Sequence, residues 1–228
     1  MRLRMQITKE AGIRFISHLE YQRTLERAMR RAKLPVAYSE GFNPHMKFSL
    51  ASALGVGITS KCEFVEIDLS KDVDLKTTLE QLQAALPMGI HIIKGDLVLK
   101  TTPKLMASVA GAEYLINVPC DKSCKLEIEA FNTATSIIYH RLMHKGKVKF
   151  KDIEVKNFIK KIQGKWLKGS LELRFICKIT SDGSIKAIEL LKLLQTDFHI
   201  PLILEQADIQ RINLFALNKE GHKKALIS

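Results

Sequence analysis

The sequence predicts an α+β protein made of two βαββαβ units in tandem. Three observations carry that prediction. Short runs of alternating apolar and polar residues mark strands. Longer runs with apolar residues three and four apart mark amphipathic helices between them. The same succession starts again after residue 111. Two crossover helices on one face of an antiparallel sheet make the ferredoxin-like arrangement, so a tandem ferredoxin-like protein is expected. The expected boundaries are 1–100 for the first domain, 101–111 for a linker and 112–228 for a second domain with a basic hairpin.

The elements follow in order. Arg2 to Ile7 places Leu3, Met5 and Ile7 on one face, as in a half-buried strand. Ile13 to Ile16 reads as its continuation or pairing partner. "SHLEYQRTLERAMRRAKLP" is a helix. Ser17 and Glu20 form a capping box, Leu25, Ala28, Met29 and Ala32 make the apolar stripe, and Pro35 ends it. "CEFVEIDLS" is a strand, "VDLKTTLEQLQAALP" a second helix and "GIHIIKGDLVL" a further strand. In the second copy, "AEYLINVP", "SIIYHRLM", "SLELRFICKI" and "ADIQRINLFAL" are strands. Helices are expected over 123–134, facing inward through Leu126, Ala130 and Phe131, and over 185–194. "KVKFKDIEVKNFIKKIQ" reads as a charged extended ribbon.

A chain of 228 residues, 46% apolar and 26% charged, can bury two cores. No apolar run reaches the roughly 18 residues of a membrane span, and the charged, alternating N-terminus is unlike a secretory signal. A cytoplasmic protein without membrane contact is therefore expected. Cys62, Cys120, Cys124 and Cys177 include no CxxC pair and no CxxxCxxC set, so neither a cluster nor a metal is expected. His140 and His144 are the only further ligands in reach of Cys120 and Cys124. No cofactor is called for.

The net charge of +12, from 36 basic and 24 acidic residues, points to an anionic partner. Residues 141–168 hold ten basic and two acidic side chains. Lys145, Lys147, Lys149 and Lys151 fall on alternate positions, as in a ridge matched to RNA phosphates. Lysines that protect a strand edge would look the same. Phe150, Phe158 and Trp166 lie among them, as core residues or as platforms for bases. On the first helix Arg23, Arg27 and Arg30 form a second basic face, softened by Glu20 and Glu26.

"YSEGFNPHMKFSLASALGVG" spans residues 38–57. Tyr38, Ser39, Glu40, Asn43, His45 and Lys47 make a candidate ligand or partner loop, read as an exposed hairpin meeting the Ser17–His18 helix start. Its second half reads as buried small-residue packing. Gly55 and Gly57 either cradle a phosphate or form a plain turn. His18 at a helix N-terminus would be kept neutral. If the protein is an enzyme, His18, His45 and Tyr38 are the candidate catalytic residues.

"RFISHLEYQRTLERAMRRAKLPVAYSEGFNPHMKFSLASALGVGITSKCEFVEIDL" resembles the signature region of the radical SAM-linked proteins, a domain-of-unknown-function family found fused to, or encoded beside, radical SAM proteins. "F-x-SHL", "ER-x-x-RR", "YSEGF-x-PH-x-K" and "A-x-x-LGV" carry the resemblance, with weaker marks in "HKGKVKFKDI" and "IQRINLF". It implies a radical SAM protein as partner, and RNA as the other ligand. No established catalytic residues come with it. The expectation is an RNA-binding accessory protein that presents tRNA or rRNA to a radical SAM enzyme. Two alternatives stay open: a metal-independent endoribonuclease resembling CRISPR-RNA-processing enzymes, and a protein-only adaptor for a radical SAM protein. A binding role is preferred to catalysis.

Overall fold

The structure, a computed structural model, describes residues 1–145, 147–181 and 183–227, without the side chains of residues 144–148. The chain is a mixed α+β protein with antiparallel strands and few helices.

The alternation from Leu3 becomes β1 (Arg2–Lys9), whose Leu3, Met5 and Ile7 are buried against the first helix. The expected strand at 13–16 is instead a 3-10 turn over Ala11–Ile13. Glu10 N–H bonds to Gly89 O at 3.0 Å, and the Ile13 side chain packs where a Cβ on Gly89 would sit. This segment is thus pinned as a turn and cannot run on as a strand.

α1 (His18–Arg31) starts at Ser17, whose Oγ accepts Glu20 N–H at 3.2 Å. The reciprocal half of the box is missing because the Glu20 carboxylate takes Arg23 at 2.7 Å. Tyr21, Leu25, Ala28 and Met29 are buried at helical spacing. β2 (Phe48–Leu50), β3 (Ile58–Asp68), α2 (Leu75–Ala85) and β4 (Ile92–Val98) follow. Asp74 caps α2 by accepting Thr77 N–H at 2.8 Å. β1 lies antiparallel between β3 and β4, and β2 pairs antiparallel with β3, giving the order β4-β1-β3-β2. The expected linker contains α3 (Leu105–Ser108). Leu105 is buried, and its N–H reaches Glu66 Oε2 at 3.3 Å. Residues 101–111 are therefore partly docked.

In the second unit, β5 (Gly111–Pro119) is followed by α4 (Lys125–Thr133), β6 (Ile138–Lys145), β7 (Lys147–Glu154), β8 (Ile162–Leu167), β9 (Ser170–Lys178) and α5 (Ala187–Thr196). β9 lies between β5 and β8, and β6 pairs with β7 as a separate two-stranded ribbon. The expected strand "SIIYHRLM" is thus present as β6 but belongs to the ribbon, and the strand beside β9 is β8. On α4 the inward residues are Ile128 and Phe131, while Leu126 and Ala130 are exposed. The core faces a stripe of Cys124, Ile128 and Phe131, so Phe131 points inward as expected, while Leu126, two residues from both Cys124 and Ile128, lies on the other side of the helix.

β10 (Asp208–Leu217) and β11 (Lys223–Lys224) end the chain. Two compact units result: Met1–Ala110 with Arg211–Ser228, and Gly111–Gln210. The second unit therefore stops short of the expected 112–228, because from Arg211 onward the chain returns to the β3 edge of the first. Among the described residues no helix is long and apolar enough to cross a membrane.

Phe131→Ala should cost about 3–5 kcal/mol, the range for a buried aromatic, and Leu126→Ala no more than about 0.5 kcal/mol. Urea unfolding of both variants checks the register of α4. Equal losses would overturn it.

Candidate functional site

The strand β3 is mostly buried, and two of its charged residues, Glu63 and Glu66, are buried with it. A carboxylate taken out of water needs a cation and hydrogen bonds to remain ionised. Glu63 obtains both from Arg211 of β10. Arg211 Nε donates to Glu63 Oε1 at 2.8 Å and Nη2 donates to Oε2. Arg211 Nη1 also donates to Ala53 O at 3.1 Å and Ser52 Oγ at 3.3 Å. Both side chains of the pair are 1% exposed.

Lys9, at the end of β1, is also buried. Its Nζ donates to Arg14 O at 3.0 Å and Ile16 O at 3.1 Å, tying down the approach to α1. Tyr21 Oη donates to Thr8 O at 2.9 Å. Burial lowers the Lys9 pKa, opposed by Glu63 and helped by Arg211. His18 is half-buried above this network. Burial lowers its pKa first, Glu63 opposes, and Arg211 and Lys9 add to the lowering. Its imidazole is held toward the neutral form.

The first half of the 38–57 stretch is an exposed hairpin, as read from the sequence. Tyr38 bridges to Met46, Ser39 N–H reaches His45 O at 2.8 Å, and His45 N–H reaches Ser39 Oγ at 2.9 Å. Gly41, at φ +118°, occupies a conformation that side chains rarely adopt. Glu40, Phe42, Asn43, His45 and Lys47 are exposed. The hairpin does not meet the helix start. Its base bonds to Asp68, through Ala37 N–H to Asp68 O and Asp68 N–H to Lys47 O, both at 2.8 Å. Asp68 pairs with Arg2, whereas Lys9, below His18, pairs with Ser60. Seven residues of strand, roughly 23 Å, separate the two ends. Tyr38 lies near Arg30, toward the other end of α1. Thus His18, His45 and Tyr38 do not form one acid–base set.

The second half of the stretch meets the helix approach instead. Leu50, Ala51 and Leu54 are buried, as expected. Gly57, at φ +80°, gives its N–H to Arg14 O at 2.8 Å and accepts Arg14 Nε on its own carbonyl at 3.1 Å. That N–H is spent on the latch, so Gly57 closes a turn, and Gly55 lies exposed in it.

On α1, Arg23 pairs with Glu20 and Arg30 with Glu26, each at 2.7 Å between exposed side chains. Such pairs contribute little to stability but reduce the free positive charge. Arg27 is exposed with no ion pair among the described residues.

In the second unit the alternating lysines span two strands, with Lys145 on β6 and Lys147, Lys149 and Lys151 on β7. The side chains of Lys145 and Lys147 lie outside the described residues. Lys149 and Lys151 are exposed, opposite Met143 and Arg141 in the register. The ribbon is anchored by Arg141, whose Nε and Nη2 reach the two Glu189 oxygens at 2.7 Å each. Lys156 also turns inward, donating to Phe131 O at 2.6 Å and Lys160 O at 3.1 Å. Arg141 and Lys156 thus serve the fold. Phe150 is exposed, and Trp166 is held by a 3.0 Å bond from its ring N–H to Cys120 O.

All four cysteines are buried and unbridged. Burial raises the Cys62 and Cys177 thiols to about 11 and Cys124 to about 12. Cys120 Sγ and Cys124 Sγ lie 3.4 Å apart. Among the described residues no three His, Cys, Asp or Glu side chains gather as a metal site would require.

A protein-family model matches residues 2–187 of this chain. The chain belongs to the family described as "Uncharacterized protein conserved in bacteria (DUF2344)". No curated protein matches this DUF2344 member. A solved structure described as "Crystal Structure of a Cbf5-Nop10-Gar1 Complex" is 10% identical, with a TM-score of 0.51, over 93% of this chain and 48% of that one. The likeness is one of fold, and this chain spans about half the length of its match. "Crystal Structure of an Unknown Protein from Galdieria sulphuraria" is 12% identical over 95% of this chain and 98% of that one, at a TM-score of 0.25, too low to compare folds.

Sequence reasoning missed Lys9, Glu63 and Arg211. Only Glu63 carries a local signal, a charged residue between two apolar strand neighbours, Cys62 and Phe64; Lys9 and Arg211 have polar residues beside them.

The His18 pKa predicts a pH dependence. The folded value lies below the ordinary 6.5, so the unfolded chain binds the proton more tightly. The stability that neutral His18 contributes is full above pH 6.5 and is lost as pH falls from there through the folded pKa. Nuclear magnetic resonance titration of the imidazole should give a midpoint below 6.5, and His18→Gln should flatten the acid-side loss of stability. A midpoint at or above 6.5 would contradict the burial argument.

Proposed function

We propose that this protein binds RNA as an accessory protein and presents tRNA or rRNA to a radical SAM enzyme. The observation that carries the RNA half is the β6–β7 ribbon. Its root is fixed by Arg141 on Glu189, while Lys149 and Lys151 stay exposed with no ion pair among the described residues. An anchored ribbon with exposed ammonium groups suits a phosphate backbone, because each neutralised phosphate releases counterions. The net charge of +12 supports the same reading. We read both units as ferredoxin-like. In the first, the order β4-β1-β3-β2 supports this. In the second, β5-β9-β8 supports it with the ribbon inserted ahead of β8.

The charge-reversed pair Lys149→Glu with Lys151→Glu should weaken binding to single-stranded RNA by roughly tenfold or more at low salt and reduce the salt slope by about 1.4, two contacts' worth. Filter binding across a salt series measures both. Unchanged affinity and slope would remove the ribbon from the interface.

The partner half rests on the sequence resemblance, and one separate observation favours a protein contact. Phe42 is fully exposed at the hairpin tip between Gly41 and Asn43. A large apolar side chain held out by a bonded hairpin suits a partner's pocket as an anchor. Phe42→Ser should abolish co-purification of a radical SAM enzyme after nuclease treatment and leave RNA affinity unchanged. Retention of the enzyme by that variant would rule out the tip as its dock.

A further inference from the structure

The second unit also holds a cavity of about 410 Å³ that the ribbon does not use. Small-molecule sites commonly occupy roughly 300–1,000 Å³. The cavity opens on one face of the β5-β9-β8 sheet. Along β9, Leu171, Leu173, Phe175 and Cys177 are buried, while Arg174, Ile176 and Lys178 point to the opposite, exposed face. α4 covers the buried face, where a Cβ on Gly164 would meet the Ile128 side chain at 3.0 Å. The register sets Gln163 opposite Arg174 and Glu113 opposite Ile176, so all four share the open face.

The chemistry divides by position. Arg174 Nε donates to Glu113 Oε1 at 2.8 Å, so that pair is internally neutral. Lys160, Lys161 and Lys178 line the same cavity, are exposed, and have no ion pair among the described residues. The site is therefore cationic. Phe158 and Ile176 contribute its apolar surface, and Phe158 is fixed in place by Lys178 N–H bonding to its carbonyl at 2.9 Å. Gln163 is exposed, with no side-chain hydrogen bond among the described residues, and its amide offers both a donor and an acceptor.

A ligand that satisfies all three features needs a flat apolar face, a mixed donor–acceptor edge and an anionic group. We propose that the cavity takes one ribonucleotide, with its base against Phe158 and Ile176, its base edge on Gln163 and its phosphate on Lys161 and Lys178. Aromatic surfaces stack on bases, and amide side chains read base edges. This deepens the RNA-binding reading and rests on it for the source of the nucleotide. A free nucleotide has the same chemistry, so the test separates the two sources.

The full chain is titrated at low salt with each of the four ribonucleoside 5′-monophosphates, with inorganic phosphate and with a single-stranded RNA. Gln163→Ala and Lys178→Ala are titrated in parallel. Both positions are exposed, and an unchanged thermal midpoint confirms that the variants fold. At least one monophosphate should bind roughly tenfold more tightly than inorganic phosphate, the weight of one or two added hydrogen bonds. Lys178→Ala should weaken all four together, while Gln163→Ala should narrow the differences among them. Both variants should weaken binding of the RNA. If RNA binds but monophosphates bind no better than phosphate, the cavity proposal falls and the RNA reading stands. If monophosphates bind with the expected variant effects and RNA does not, the cavity is a free-nucleotide site and the RNA reading falls. If inorganic phosphate competes equally and Gln163→Ala changes nothing, the cavity is only an anion site and the proposal is overturned.

Discussion

Arg211 and Glu63 lie 148 residues apart in sequence and share one buried contact. Removing a carboxylate and a guanidinium from water carries a penalty of several kcal/mol per ion. The contact offsets it through two-pronged geometry and by using the remaining guanidinium hydrogens on Ser52 and Ala53. Much of the first unit depends on that solution. The loop after β2 must present its carbonyls to Arg211. The first half of β3, through Ser60 and Cys62, must lie beside the returning β10. The field at Lys9 and His18 is set by the same two charges. Losing either partner leaves the other buried and uncompensated, typically at about 3–5 kcal/mol. Replacing both with apolar groups of similar volume is far milder.

Basic residues in this chain have two occupations, and their sequence positions do not separate them. Arg141 and Lys156 lie in the most basic segment yet hold the ribbon root and the end of α4. Lys9 and Arg4 are likewise interior, Arg4 reaching Glu66 Oε2 from Nε at 2.8 Å. Lys149, Lys151, Lys161 and Lys178 remain exposed to solvent. A net charge counts all of these equally. Only the exposed, unpaired cations can exchange their counterions for a polyanion.

Local rules recovered local features. The Ser17 cap, the α1 stripe and the alternation of β9 were legible because each depends on neighbours within four residues. The phase of α4 was not, since Leu126 and Ile128 are equally apolar and only the packing partner chooses between them. Nor was the direction of the 38–47 hairpin, which is set by hydrogen bonds to Asp68 across the sheet. The candidate site was legible in part. The sequence marks the loop, and the small apolar residues of its second half mark that half as buried. The purpose of that half lay in Arg211, too distant in sequence for any pattern to connect. In the second unit the lysines were visible. The cavity was not, because its walls combine positions from β5, β8 and β9.

The division of the chain has a bearing on how the protein comes into being. The second unit is made from one continuous piece, 111–210, while the first needs both 1–110 and 211–228. A ribosome therefore delivers every residue of the inner unit before it delivers the last strand of the outer one. Throughout that interval Glu63 has been synthesised and its guanidinium partner has not. The unit that begins first is therefore the one that receives its full set of residues last.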